Sequence, residues 1–482
     1  MGSTIKQYYA AFVANIATIC YGTTIGWSSP ALSALSTSNP SPGKDIIFQL
    51  TDEEASWIGG LICIGALFGG PLYAWLAGVR GRKFAGYMIV VPYIISWLCI
   101  LFAESVLWMF AGRAFSGIAG GGVIVLIPMY VSEIADDNIR GALGSLLVLC
   151  INSGILVGYL LGACVSYFWL NLILTTLPFL FLVLFFTVPE SPIWLARSGR
   201  LDDASRALCW LKGLQPSKSE DEQTISCELD KLKPKDDAQE EGASFMELLS
   251  SKCCRRGLFI GISLMFFQQA CGLFAVLTYA SSIMQQAGVS GWTPDQAAVI
   301  LGAIQVVGGL VSSVFVERAG RKILLAMSSA FLGLCLAALG THAGLRENGY
   351  DVTGWSWVPV TSLCGAVLFG ALGTGPLPFV VASEIFDNRA KGKAMTICNL
   401  SLWIFAFIVL KFYSSMVSLM TMPGTFMLFA AFMALSTIFA VFCVPETKGQ
   451  PLDVILAKLG AKAQNSVVLQ EKPGVELDVK NV

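Results

Sequence analysis

Long apolar stretches alternate with short polar breaks along most of this chain. Twelve can be read, at about 8–34, 56–77, 85–103, 107–132, 142–165, 168–188, 257–286, 297–316, 323–341, 358–382, 395–418 and 424–444. Each is long enough to cross a hydrocarbon core of roughly 30 Å. Within them apolar residues run on rather than alternating with a period of two, so the pattern predicts membrane-crossing helices and not barrel strands. Six spans precede and six follow a polar stretch at 189–256. The first span is too long for the core of a cleaved leader and lacks a small-residue cleavage pattern behind it, so it is read as a mature helix. Lys6 stands where a myristoylation signal wants Ser or Thr.

Composition agrees: 55% of the 482 residues are hydrophobic and 13% charged, which is the balance of a membrane protein. Basic residues gather in alternate loops, at Arg80, Arg82 and Lys83, at Arg140, at Arg318, Arg321 and Lys322, and at Arg389, Lys391 and Lys393. The opposite loops hold little beyond Lys44 and Arg346, so the basic loops, both termini and the central stretch are expected in the cytoplasm. Within 189–256, Ser191 can cap a helix that Pro192 starts, with a second short helix behind it. Residues 216–242 and the tail beyond 450 are too polar to bury much. The expected organisation is a six-helix bundle over 1–188, a cytoplasmic linker with short helices over 189–256, a second six-helix bundle over 257–444 and a tail over 445–482.

Three signals occur twice in the same order. Gly81 in "VRGRK" matches Gly320 in "ERAGRK", Glu133 in "YVSEIADDNIRG" matches Glu384 in "VASEIFDNRAKG", and Pro189 in "PESP" matches Pro445 in "PETKG". One cluster alone would be ordinary charge at a helix end. Their ordered recurrence points to an internal duplication of the kind found in carriers built from two related halves. Arg82, Glu133, Arg140, Glu317, Arg318, Arg321, Glu384 and Lys391 are the candidates for a charge network that steadies one of two packings of the halves.

Little else in the sequence offers chemistry. His342 is the single histidine and is expected in an outer loop, which removes most metal and imidazole-based schemes. No phosphate-cradling G-x-x-x-x-G-K pattern is present, so no cofactor, no ATP-driven step, no nucleic-acid partner and no enzymatic activity are expected. The fourteen cysteines read as packing residues, with Cys253 and Cys254 beside Arg255 and Arg256 as candidates for palmitoylation. Arg113 in span four and Lys411 in span eleven are intramembrane cations that can snorkel or pair. Gly272 in span seven and "GTGPLP" at 373–378 in span ten should interrupt their helices near mid-membrane.

Taken together, the paired G-R-K loops, "SEI" followed by Arg140 and Gly141, "PESP", "QQACG" and "PETKG" make the chain resemble the sugar-porter family of the major facilitator superfamily, over about residues 10–453. "GTTIGWSSPAL" and "INSGILVGYLLG" are most similar to its insect trehalose and hexose branch. The resemblance implies an all-α fold of twelve transmembrane helices in two pseudo-symmetric bundles that rock about a central sugar site, working as a monomer in the plasma membrane. It puts Gln268, Gln269 and Trp403 at the family's sugar contacts. Other family positions differ: Phe274 and Gln305 stand for asparagines, Leu402 for the asparagine before the tryptophan, Phe379 for a tryptophan, and Val148 for a glutamine, with Asn152 one turn on. Gly78 replaces the acidic residue opening the first G-R-K loop. Thr24 stands where proton-coupled relatives carry an aspartate, so passive uniport of a hexose or trehalose is expected. A proton-coupled or non-sugar carrier, or a receptor that transports poorly, is the alternative.

Overall fold

Apolar helices make up nearly all of the computed structural model, which describes residues 2–36, 48–214, 225–229, 248, 250–287 and 293–460, without the side chains of 2–3, 316–319 and 388. The elements are α1 (Gly2–Gly26), α2 (Ser28–Leu35), α3 (Asp52–Arg80), α4 (Arg82–Leu101), α5 (Val106–Ile134), α6 (Arg140–Cys164) and α7 (Tyr167–Phe185). Two short helices follow, α8 (Pro192–Arg197) and α9 (Leu201–Lys212). The second half holds α10 (Lys252–Ala270), α11 (Leu273–Thr278), α12 (Ala280–Gln286), α13 (Pro294–Ala319), α14 (Arg321–Glu347), α15 (Val358–Phe369), α16 (Leu377–Glu384), α17 (Asn388–Phe442) and α18 (Leu452–Lys458). Eleven stretches among the described residues are long and apolar enough to cross a bilayer. The last of them contains two crossings, joined at Thr421, so the twelve expected spans are all present.

Local chemistry sets several boundaries. Thr51 and Glu54 form a reciprocal capping box at the start of α3, and Thr293 and Gln296 form another at the start of α13. Ser191 accepts a hydrogen bond from the Trp194 N–H at 3.2 Å with Pro192 in the first turn of α8, as its sequence predicts. Span ten opens into a π-turn at Gly370–Thr374 before α16, next to the expected weak point.

Other expectations are corrected. Span seven is interrupted not only at the expected Gly272 (φ 71°) but a second time at Tyr279 (φ −113°, ψ 23°). Spans eleven and twelve are separated by no loop: a single residue, Thr421 (φ 58°, ψ 172°), interrupts the helical path. His342 lies inside α14 and is buried, because that helix runs on to Glu347. Cys253 is buried with its thiol on the Leu456 carbonyl, which removes it as an accessible acylation site.

The first six spans are held by backbone-to-backbone packing. A Cβ at Gly65 would lie 2.2 Å from the Ala114 carbonyl oxygen, and one at Gly117 would lie 2.2 Å from that of Ile62. Gly69 and Gly121 repeat this against Ile118 and Ala66, so α3 and α5 interlock through two G-x-x-x-G motifs. Gly22 and Gly26 of α1 interlock in the same way with Gly154 and Gly158 of α6. In the second half, Gly261, Gly333 and Gly365 meet side chains instead, Cys398 Sγ, Met433 Cβ and Cys335 Sγ.

Arg113 does not snorkel, and among the described residues it meets no acid. It is buried at 1% exposure and donates to the carbonyls of Ile58 (3.1 Å) and Thr24 (2.8 Å) and to Ser28 Oγ (2.7 Å). Its guanidinium sits 5.2 Å from the centre of the Trp27 ring.

Candidate functional site

Both G-R-K loops are built to one plan. Gly81 has φ 101° and Gly320 φ 87°, a backbone region that side chains rarely adopt, so the loop turns there and leaves the N–H groups of the next helix unpaired. A distant glutamate collects them. Glu190 Oε1 accepts from the N–H groups of Arg82 (3.0 Å), Lys83 (3.1 Å) and Ser191 (2.8 Å), and Oε2 accepts again from Lys83. Glu446 Oε1 accepts from Arg321, Thr447 and Lys448, each at 3.0 Å, and Oε2 accepts from Lys322 at 3.2 Å. A carboxylate at a helix N-terminus meets both the orphan donors and the dipole. Burial pushes the Glu190 carboxyl above its ordinary range despite these bonds. For Glu446, burial pulls the same way, but its backbone N–H bonds outweigh it and the carboxyl lies below its ordinary range.

The side chains of the same loops bind within each half. Arg82 Nε donates to Glu133 Oε2 at 2.8 Å and Nη2 to Oε1 at 2.7 Å, a bidentate pair joining α4 to α5. Arg321 Nη2 meets Glu384 Oε1 at 3.2 Å, joining α14 to α16. Arg140 does not reach Glu133: it pairs with Asp137 at 2.8 Å on the surface and donates to the Ala135 carbonyl. Lys391 is exposed, and no ion pair of its ammonium is found among the described residues. Glu317 and Arg318 have side chains outside the described residues.

Away from these loops the halves are tied together. Ser29 and Ser281 share a hydrogen bond at 2.8 Å, and the Tyr279 hydroxyl donates to the Ala55 carbonyl at 3.4 Å. Tyr279 stacks on Tyr413 at 5.1 Å and 16°. Lys411 donates to Ser56 Oγ at 2.9 Å, lies 3.9 Å from Glu53 and sits 4.4 Å from the centre of the Trp57 ring. A cleft of about 420 Å³ beyond this closure is lined by Ser33, Asp52, Tyr279, Gln286, Tyr413 and Ser418 among others. Among the described residues, no hydrogen bond between the halves lies nearer the G-R-K loops than the middle of its helix. The innermost runs from Asn152 Nδ2 to the Gln305 carbonyl at 3.1 Å.

Inward of this closure, several expected residues carry buried polar atoms without a partner among the described residues: Gln268 Oε1, Gln269 Oε1, Gln305 Oε1 and Trp403 Nε1. Gln268 is oriented by its Nε2, which donates to the Gly375 carbonyl at 2.7 Å beside the π-turn of span ten. Gln305 and Trp403 belong to helices that pack against the other half, α13 on α6 and α17 on α3. Asn152 is engaged with α13, so it bridges the halves, and Val148 beside it is exposed. Phe274 and Phe379 are half-buried, each in the first turn after a break in its span.

Glu190, Glu446 and Asn399 were not singled out by the sequence. The two glutamates had a signal, since each follows the proline of a recurring "PE" pair. Asn399 lies one turn before Trp403, and its Oδ1 is likewise buried without a partner among the described residues.

The Sugar (and other) transporter family model matches residues 10–458. Facilitated trehalose transporter Tret1 of Bombyx mori is 32% identical over 97% of this chain and 89% of its own length. Solute carrier family 2, facilitated glucose transporter member 8 of Mus musculus is 34% identical over 94% of each. The inward-open structure of the xylose transporter XylE from E. coli superposes with a TM-score of 0.74 at 23% identity, covering 93% of this chain and 98% of that one, a likeness of fold. With twelve spans in two bundles of the major facilitator type, and with a family match that runs from the first span to the last short helix, the chain belongs to the Sugar (and other) transporter family.

Proposed function

We propose that this protein is a passive sugar carrier for a hexose or trehalose, working by alternating access, and that its conformation here opens toward the G-R-K loops. One observation carries the reading: amide and indole groups that are unpaired among the described residues lie along a seam between halves whose hydrogen bonds to one another, among those residues, are all at or beyond the middle of the spans. Amides supply donors and acceptors together, which suits hydroxyls that give and take hydrogen bonds. Trp403, at 4% exposure, adds an N–H and an apolar face for a sugar ring. Two curated relatives are named as facilitated trehalose and glucose transporters, which supports the substrate class.

Passive transport is favoured by the surroundings of Arg113, whose hydrogen-bond partners are two carbonyls and a hydroxyl. Thr24, in the position of interest for proton coupling, donates its hydroxyl to the Tyr21 carbonyl and offers no proton to exchange at working pH. The excess of Lys and Arg in the G-R-K loops favours a cytoplasmic location for that end and for both termini. The carrier acts as a monomer in the plasma membrane, each half supplying the other's moving wall.

Uptake of labelled glucose and trehalose into proteoliposomes tests this. Saturable uptake, accelerated by unlabelled sugar inside and indifferent to a pH gradient, is expected. Uptake driven by the gradient would replace uniport with symport, and binding without flux would make the protein a receptor.

A further inference from the structure

α17 carries Asn399, Trp403, Phe407 and Lys411 at successive intervals of four, and such residues share one face of a helix. Three of the four are fixed against α3. A Cβ at Gly70 would lie 3.6 Å from Asn399 Nδ2, one at Gly60 would lie 3.1 Å from the Phe407 ring, and Lys411 binds Ser56. The neighbouring face is fixed as firmly against α10: Cys398 faces Gly261, and the Phe405 ring lies 5.2 Å from that of Phe266. Asn399 and Trp403 therefore stand on the seam where the halves meet. Both keep a polar atom buried and unpaired among the described residues, an acceptor on Asn399 and a donor on Trp403.

Leaving such groups dry inside a membrane protein is costly, because neither water nor lipid satisfies the donor or acceptor. The side chain immediately before the tryptophan, Leu402, is apolar and 6% exposed, so it contributes no hydrogen bond there. We infer that Asn399 is a specificity-determining residue that accepts a hydrogen bond from a sugar hydroxyl while the ring lies against Trp403. This rests on the carrier reading above. Three residues of helix separate 399 from 402, so the hydroxyl it meets lies about 4.5 Å nearer the G-R-K loops than one read from position 402. The recognised ligand is polyhydroxylated and reaches one helical turn past the indole.

The test is equilibrium exchange in proteoliposomes of the parent and of Asn399→Ala, with glucose, trehalose and a set of monodeoxyglucoses. The half-saturating concentration of the transported sugar should rise about tenfold in the variant while the maximal exchange rate stays within twofold. One deoxy sugar, lacking the hydroxyl that Asn399 meets, should be exchanged equally well by parent and variant. If Asn399→Ala does not fold, Asn399→Leu keeps the side-chain volume without hydrogen-bonding groups and is read in the same way. An unchanged half-saturation, or a fall in maximal rate with no sugar-specific difference, overturns the assignment while leaving the carrier reading intact. No saturable exchange of any sugar by the folded parent overturns the carrier reading, and this assignment with it.

Discussion

Glu190 and Glu446 occupy matching places in the two halves, yet their charge is held under different conditions. Three N–H groups face the more deeply buried Glu190, whereas four face Glu446. A carboxyl lowered by folding stabilises the folded state above its ordinary value near 4.5 and loses that contribution as pH falls through the lowered value. A raised carboxyl has the opposite sign: ionisation opposes folding, and acid relieves it as pH falls through the raised value. At pH 7, Glu446→Gln should therefore cost more stability than Glu190→Gln, on the order of 1.5–3 kcal/mol for a lost charge-assisted set. Melting curves of both variants in detergent from pH 7 to pH 4 check this. The Glu446 deficit should shrink toward pH 4, and equal deficits at pH 7 would count against the contrast. The recurring glycines and the glutamates of "SEI" were legible because their neighbours repeat them. That Glu190 and Glu446 close the loops was not, since the partners are separated by 108 and 125 residues and meet only in space.

Helices in this molecule fail mostly where a residue type permits it, with Tyr279 and Thr421 as exceptions. Gly272, with φ 71°, and the Gly370–Thr374 turn lie at or beside breaks that the glycines and prolines of spans seven and ten predicted. Thr421 lies in a region of φ and ψ that belongs essentially to glycine, and no sequence rule marks a β-branched residue for it. Thr421→Gly should raise the thermal midpoint, by about 1 kcal/mol of relieved strain. A lower midpoint would mean that the threonine's contacts outweigh its backbone. Glycines split the same way by surroundings. Gly69→Ala would drive a methyl into the Ile118 carbonyl and should destabilise by roughly 2 kcal/mol or more, seen as early loss of monodispersity on heating. Gly144→Ala, where a Cβ meets nothing within 4 Å, should instead gain about 0.5–1 kcal/mol from helix propensity. The four G-x-x-x-G pairs were present in the sequence, but only the packing shows that they lock α3 to α5 and α1 to α6 rather than serving contacts with other chains.

At the scale of the whole molecule, twelve spans, their order and the likeness of the halves could be read from hydropathy and repetition. Which end is closed could not, because both packings use the same sequence and differ only in which cross-half contacts are made. Lys411 is central to the closure described here, gathering Ser56, Glu53 and the Trp57 ring from α3. Lys411→Met should loosen that end, so that an impermeant thiol reagent added on the side away from the G-R-K loops labels Ala55→Cys several times faster than in the lysine parent. Equal rates would mean that the tyrosine stack and the serine pair suffice to hold it.

The glycine interlocks have a consequence for how the protein is made. Both locked pairs, α1 with α6 and α3 with α5, consist only of residues before position 165, so the first bundle's framework is complete long before the last span leaves the ribosome. At about 5–20 residues per second, the second half emerges over the following ten seconds or more. Its seam helices α13 and α17 are made after α6 and α3, the helices they pack against. Every residue of the first bundle's glycine locks is thus made before the second bundle needs a surface to pack on.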